Sequence, residues 1–453
     1  MTMTNNAAAN NAAANNDAAD NDANRAAAVP FSLLPESSTV DAEGGLVIGG
    51  VSVNQLAAEF GTPLFVYDEA HLRARAAEAV RGFPGGAAFA SKSFMCKAMA
   101  RLAYDEGMLI DVATGGEMFV ALEAGVPASR LVMHGNNKSP AELAYALEQG
   151  VGRIVIDNDS EMDRLESLVQ SGLPSPTVLI RMNPGIEVHT NEKVATGVED
   201  SKFGFSLSSG AAERAVNRAS ASEYLDLVGT HLHIGSQVFS ADNFGDALSK
   251  VGPYVASLDL GEFVVGGGLG VAYVVGEQAP TITEWAQRVH EACQDVGIRA
   301  AVGAEPGRSI VAQAAITVYT VGVIKDLVTP DGSPLRTYVA VDGGMSDNPR
   351  PVLYGSGYET FLPDRVTDPR ERVVTVVGKH CESGDKLVVD AQVPETLDVG
   401  DLLATPVTGA YGHSMGSNYN KVTRPAVVFV ADGQARLVIR RETYADLVSC
   451  DVG

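Results

Sequence analysis

The chain has 453 residues, 45% apolar and 20% charged, with a formal net charge of −23; that length accommodates one large domain with an appendage or two domains, and the acidic balance argues against DNA or an anionic membrane as partner, since both call for clustered Lys and Arg. Cys96, Cys293, Cys381 and Cys450 lie far apart with no C-x-x-C spacing, which fits reduced thiols in the cytoplasm better than a disulfide framework or a zinc site. No run of about 18 uninterrupted apolar residues is present to span a bilayer.

Residues 1–25, "MTMTNNAAANNAAANNDAADNDANR", lack the cationic and apolar regions of a secretory signal, and their Asn/Ala low complexity predicts a disordered tail over 1–28. Within 29–62 the run "GGLVIGGVSV" is strand-like and is expected to join a C-terminal sheet. From 63 to 309 short β-rich runs alternate with helical ones. The strand candidates are "AAFAS", "LIDV", "RLVMHG", "RIVID", "TVLIRM", "LVGTHLHIG", "FVVGGG" and "AAVGAEPG". Between them lie helical patterns such as "SPAELAYALEQG" and "SEMDRLESLVQSG", the second with Ser160 as its expected N-cap. This is the rhythm of a (β/α)8 barrel of TIM type, and the α/β class follows. A doubly wound sheet competes, but no G-x-G-x-x-G follows the first strand. From 310 to 453 "AAITVYTVGVI", "RTYVAVDGG", "RVVTVVGKH", "DKLVVDAQV" and "RPAVVFVADGQARLVIRR" read as consecutive strands, with Asp432-Gly433 as a hairpin turn. The expected architecture is a barrel plus a discontinuous all-β domain.

Barrels of this type carry their chemistry at the C-terminal strand ends. Here those ends present Lys92, Asp111, His134 with Asn136, Asp157, Arg181 with Asn183, His231 and His233, the glycines of "GGGLG", and Glu305 with Arg308. So many functional groups at successive strand ends argue against chance. Lys92 follows a strand of small residues and reads equally as a rim lysine or as an amine in the barrel mouth, where a desolvated lysine condenses with an aldehyde cofactor. Lys97 lies off the helical face formed by Phe94, Met95, Ala98, Met99 and Leu102, and reads as solvated. "GGGLG" (Gly266–Gly270) allows backbone N–H groups to approach a phosphate, or simply makes a tight turn. "HLHIGSQ" offers a metal pair, a flat ring to stack on a cofactor, or packed histidines. Glu305 in "AEPGRS" would keep a ring nitrogen protonated, as an electron sink needs. The Cys381-Glu382 pair in "GKHCESGD" is an acid toward a carbanion or an inert turn.

"FASKSF", "DVATGGE", "HGNNKS", "TGVEDSKFGF", "HLHIGSQ", "GGGLG", "AEPGRS", "VDGGMSDNPRPVLYG", "GKHCESGD" and "GAYGHSMGSNYN" follow one another in a single order. With these motifs the chain, from about Val29 to its C-terminus, resembles the diaminopimelate decarboxylases, pyridoxal-phosphate enzymes of the alanine-racemase-like barrel class. The resemblance implies that Lys92 anchors pyridoxal 5'-phosphate, with Asp111 near that linkage and His233 stacked on the ring. Ser236, Gly268 and the Glu305, Pro306, Gly307 and Arg308 backbone would cradle the phosphate, and Glu305 would hold the pyridinium proton. Arg308, Arg350 and Tyr354 would bind substrate carboxylates, Glu382 the distal amine, and Tyr411 both cofactor and substrate; Cys381 would donate the proton. A homodimer with shared sites and no metal is implied, the substrate being meso-diaminopimelate and the product L-lysine. Gly412 and His413 depart from the Cys-Tyr often found after the equivalent tyrosine. Ornithine or arginine decarboxylases of the same class are the nearest alternative, but they tend to have Asp after the site cysteine, where this chain has Glu382. A metal-dependent hydrolase using His231 and His233, and a non-catalytic cofactor carrier without need of the "CESGD" loop, are the alternatives of other classes.

Overall fold

The computed structural model describes residues 28–185 and 200–453; the Asn/Ala tail up to residue 27 and residues 196–199 of "TGVEDSKFGF" lie outside the described residues. The chain forms two units: one holds the described residues up to His71, Ala272–Gln278 and Gln313–Gly453, the other Leu72–Val271 and Ala279–Ala312. No helix among the described residues is long and apolar enough to cross a membrane.

The first unit starts with β1 (Thr39–Val40), β2 (Leu46–Ile48) and β3 (Val51–Ser52), the last two being the halves of "GGLVIGGVSV" broken at Gly49-Gly50. They form a three-stranded antiparallel sheet of their own, which corrects the expectation that this run joins the larger sheet. Leu46 and Ile48 instead pack on the face of that sheet, against Val66, Ile316 and Val428. The strand that does join is β4 (Leu64–Asp68), buried along its whole length. The sequence reading assigned it to the barrel, because a fully buried five-residue run has the same signature in either place.

In the second unit eight strands correspond to the eight candidates. They are β5 (Ala88–Ala90), β6 (Leu109–Val112), β7 (Leu131–Met133), β8 (Arg153–Ile156), β9 (Thr177–Asn183), β11 (Asp226–Leu232), β12 (Glu262–Val264) and β13 (Ala301–Gly303), with the short β10 (Phe205–Ser206) beside β9. All run parallel in the order β13-β12-β11-β9-β8-β7-β6-β5. A parallel bridge between Ala87 and Ala304 joins the two edges, with Ala88 N–H donating to Ala304 O at 2.8 Å and Ala90 N–H to Pro306 O at 3.1 Å. Helices connect successive strands, from α1 (Lys97–Asp105) to α7 (Ile282–Asp295). The helix at Pro140–Gln149 begins with a capping box of Ser139 and Glu142. The next, Asp159–Gln170, is capped by Asn158, whose side chain accepts from Glu161 N–H at 3.0 Å. Ser160 therefore sits inside the first turn rather than at the expected cap; an Asx two residues earlier makes the same bond from the correct extended backbone.

The rest of the first unit comprises β14 (Ala315–Val328), β15 (Pro334–Val341), β16 (Arg372–Val377), β17 (Lys386–Val393), β18 (Leu402–Pro406), β19 (Ala426–Ala431) and β20 (Gln434–Ile439). The sheet order is β17-β16-β15-β14-β4-β19-β20, with β18 on β14. Asp432 and Gly433 turn the last hairpin with φ of 51° and 73°, the left-handed pair a type I′ turn demands. Residues 272–278 join this unit through Glu359, whose carboxylate accepts from Val275 N–H at 3.0 Å and is itself held by the buried Arg370 at 2.8 Å.

Candidate active site

Side chains on a strand alternate between faces, so inward-facing residues recur every second position. Val132, Val155 and Leu179 pack with Leu109, Val228 and Val264 as one apolar layer inside the barrel. Two residues further along the same strands come Asp111, His134, Asp157 and Arg181. Registers align Ala90 with Asp111, Arg181 with His231, and His231 with Val264. The alternation thus sets a polar layer directly above an apolar plug, at the C-terminal rim.

Glu305 is the hub of that layer. His231 Nε2 donates to Glu305 Oε2 at 3.0 Å, and His134 Nε2 lies 2.8 Å from Oε1, off the line of a hydrogen bond. The two imidazoles meet edge-on with centroids 5.0 Å apart. His134 Nε2 is also 3.8 Å from Asp111 Oδ1. Burial by itself would raise Glu305, but the two imidazoles outweigh it and hold the carboxyl well below its usual range. Burial likewise opposes charge on His134, yet Asp111 and Glu305 lift it above the ordinary imidazole value. His231 is pushed down to about 4 by burial and is neutral. Asp111 is pushed up to about 6, by burial first and by Glu305 in addition, against the pull of His134 and Lys92. One flank of Glu305 therefore carries an imidazole whose protonated form is favoured and the other a neutral one.

Lys92 stands in a 3-10 turn, Ser91–Ser93, directly after β5. Its side chain is exposed, and its ammonium acts on both Asp111 and His233, so the three converge at the mouth. Lys97 opens α1 with its side chain in solvent, while Met99 and Leu102 are buried. His233 Nδ1 accepts from Gly267 N–H at 3.3 Å, and burial, then Lys92, keeps the ring neutral. Asp157 links Arg181, at 3.4 Å, to Gly204 N–H, at 2.9 Å, and Arg181 lies over the Phe203 ring at 4.4 Å. His231 and His233 do not form the metal pair that "HLHIGSQ" allowed; His231 groups with His134 and Glu305 instead.

At Gly268, with φ of +110°, an added Cβ would fall 2.1 Å from Gly235 O. Only glycine fits there, and main chain meets main chain. Nearby, Arg308 Nη2 donates to Ser236 Oγ at 3.0 Å.

The first unit holds a second group of predicted residues. Arg350 is buried, donates from Nη1 to Tyr358 Oη at 2.5 Å, and lies over the Tyr273 ring at 4.2 Å. Burial disfavours its charge, but Tyr273, Tyr358 and Tyr411 more than compensate and raise its pKa. Tyr354 ends the same short helix, Arg350–Tyr354, and Tyr411 has φ of +59°. Cys381 and Glu382 are exposed, and Tyr419 Oη donates to Glu382 Oε1. The preceding His380 is buried, bonded to Ser346 Oγ at 2.8 Å and Asn420 Oδ1 at 3.2 Å, which pins the loop that presents the thiol.

Residues 69–312 match the family described as pyridoxal-dependent decarboxylase, pyridoxal binding domain. The chain is 44% identical over 442 residues to the diaminopimelate decarboxylase of Mycobacterium tuberculosis, covering 92% of this chain and 97% of that one. It is 44% identical over 432 residues to that of Bacillus subtilis, with the same coverage. The chain belongs to the diaminopimelate decarboxylase family. Among solved structures, the diaminopimelate decarboxylase of M. jannaschii in complex with L-lysine superposes with a TM-score of 0.84 at 31% identity, covering 92% of this chain and 98% of that one.

The barrel mouth fits the family's cofactor. It offers an amine at Lys92, a flat neutral imidazole at His233, an ionised buried carboxylate at Glu305, and a side-chain-free backbone turn at Gly268 beside Arg308 and Ser236. Sequence reasoning named His134 and His231 as strand-end groups without seeing that both flank Glu305. It missed Tyr273 and Tyr358 altogether. Tyr358, four residues after Tyr354 in "YGSGYE", was detectable as a neighbour of a buried arginine; Tyr273 carried no motif signal.

Proposed function

We propose that this protein decarboxylates meso-2,6-diaminopimelate to L-lysine and CO2 with pyridoxal 5'-phosphate as cofactor. The observation that carries the reading is Arg350: a buried guanidinium braced by two tyrosines, with no protein carboxylate paired to it among the described residues. The guanidinium keeps its charge in spite of burial, so it can form a charge-assisted bond to a substrate carboxylate. Ornithine and arginine have no second carboxylate, so the same arrangement disfavours the runner-up reading.

In this proposal Lys92 (through its amine), Asp111 and His233 would hold the cofactor at the barrel mouth. Ser236, Gly268, Pro306, Gly307 and Arg308 hold the phosphate. When bound, pyridoxal phosphate withdraws electrons from the bond to the departing carboxylate. Glu305, held ionised by its two histidines, keeps a proton on the ring nitrogen. Arg308, Arg350 and Tyr354 take substrate carboxylates, and Tyr411 contacts substrate and cofactor. Glu382, oriented by Tyr419, reads the distal amine. Cys381 gives the proton to the carbon left behind, as a positioned general acid. We take the working unit to be a homodimer in which the Cys381 loop completes a shared site, and the compartment to be the cytoplasm; the four free cysteines support the latter. CO2 release from meso-diaminopimelate, set against ornithine, arginine and lysine, tests the reading. Turnover confined to diaminopimelate is expected, and preference for ornithine or arginine would overturn it.

A further inference from the structure

We propose that His134, His231 and Glu305 form a binding site for a divalent transition-metal ion, zinc by its donor set, that competes with the cofactor for the barrel mouth. The competition rests on the reading that Glu305 serves the cofactor; the metal site itself does not.

The three side chains come from the ends of β7, β11 and β13, and each is more than nine-tenths buried, at 7%, 1% and 7% exposure. Their ligand atoms all lie within 4.8 Å of one another. Two imidazoles and one carboxylate are the donor set of many catalytic zinc and non-haem iron sites, each imidazole binding through Nε2 once the proton on that nitrogen has been released to solvent. His134 Nε2 and His231 Nε2 stand 2.8 and 3.0 Å from the two oxygens of the same carboxylate. Donors at about 2.0–2.1 Å from a tetrahedral ion are roughly 3.3 Å apart. Each imidazole–carboxylate contact must therefore open by only a few tenths of an ångström, and the two imidazole nitrogens, within 4.8 Å of each other, must settle at the same spacing, a side-chain adjustment. His134 Nε2 is buried and already off the hydrogen-bond line to Glu305, so that contact is the readier to open. Asp111 Oδ1 lies 3.8 Å from His134 Nε2 but outside the group of three, so a water would complete the four-coordinate shell. An ion here would take Glu305 as a ligand, the same carboxylate the proposed function assigns to the ring nitrogen. Metal and cofactor would then exclude one another, and free zinc would block loading of the cofactor-free enzyme.

Cobalt(II) is the probe, because a four-coordinate site gives it visible absorption that the hydrated ion lacks. Full-length protein stripped of pyridoxal phosphate should bind one cobalt per chain with such a band. His134→Gln and His231→Gln, each checked by thermal melting to be folded, should weaken binding at least tenfold. His233→Gln, outside the donor set, should keep the band. Protein first loaded with pyridoxal phosphate should show none. No band in the stripped protein, or an unchanged band in both histidine variants, overturns the site. Equal cobalt binding by loaded and stripped protein overturns the competition. A protein that retained no pyridoxal phosphate would sink the proposed function instead, and the cobalt band in the stripped chain would still decide the metal site.

Discussion

Lys138→Met should cost the barrel more stability than any surface change, and the cost should depend on pH. Lys138 Nζ donates to Glu161 Oε1 at 2.7 Å, to Val155 O at 2.7 Å and to Gly135 O at 2.8 Å, and both side chains of the ion pair are within 1% of full burial. Burial pushes Lys138 down and Glu161 up, each toward neutrality; three satisfied donors at short range argue that the ammonium is nonetheless retained. Glu161 Oε2 also accepts from Asp157 N–H at 3.2 Å, so the pair supports the strand end that positions Arg181. Removing one partner of a buried pair costs about 3–5 kcal/mol, because the other charge is stranded. For a unit of this size that is roughly 6–20 °C in melting temperature. The sign with pH follows from Glu161. Its folded pKa is already raised and would rise further without Lys138, so the variant is least impaired below the unfolded carboxylate value of about 4.3 and loses stability as pH climbs through the folded one. Thermal and denaturant melts at about pH 4.5 and pH 8 measure this. Lys138→Met/Glu161→Leu should recover at least half of the loss. A deficit under about 1 kcal/mol, or one equal at both pH values, would refute the reasoning.

Cys381→Ala should lower turnover by about 10²–10⁴-fold, the range of a lost general acid, while leaving the cofactor's visible absorbance intact; unchanged turnover removes the residue from the reaction. Arg350→Ala should raise KM for diaminopimelate roughly 100-fold, in line with about 2–5 kcal/mol for one partner of a buried charge pair, and steady-state kinetics with an unaltered KM would contradict it. Gly268→Ala should weaken cofactor retention at least tenfold, since the new methyl group meets Gly235 O at 2.1 Å; equilibrium dialysis against pyridoxal phosphate reads this, and parent-like retention would count against the cradle. Asp111 gains a proton as pH falls through about 6, so Asp111→Asn should flatten the acid limb of the activity profile, and an identical limb in parent and variant would separate Asp111 from it.

The barrel was legible because its strands are short, apolar and evenly interrupted, and alternation then fixes which residues face inward: Asp111, His134, Asp157 and Arg181 follow from the parity of Leu109, Val132, Val155 and Leu179. The domain division was less legible. β4 has the composition of a barrel strand, and only its pairing with β14 and β19 assigns it elsewhere. "GGLVIGGVSV" has strand propensity in both halves, but propensity does not say which sheet a strand joins. β18 (Leu402–Pro406) went unnoticed in "GDLLATPV", a run too short to stand out. At the site, motif residues announced themselves one by one, whereas long-range contacts did not. That His134 and His231 converge on Glu305, or that Tyr273 and Tyr358 brace Arg350 across 77 and 8 positions, depends on chain distances no local pattern encodes.

Two lysines, Lys92 and Lys97, sit in one short stretch, and Lys138 lies buried in the same barrel. Borohydride reduction of the purified full-length protein, followed by peptide mass mapping, distinguishes them. Lys92 alone should carry the reduced pyridoxyl group, and Lys92→Ala should carry none. Labelling at Lys97 or Lys138, or no labelling of a protein that turns over diaminopimelate, would contradict the account.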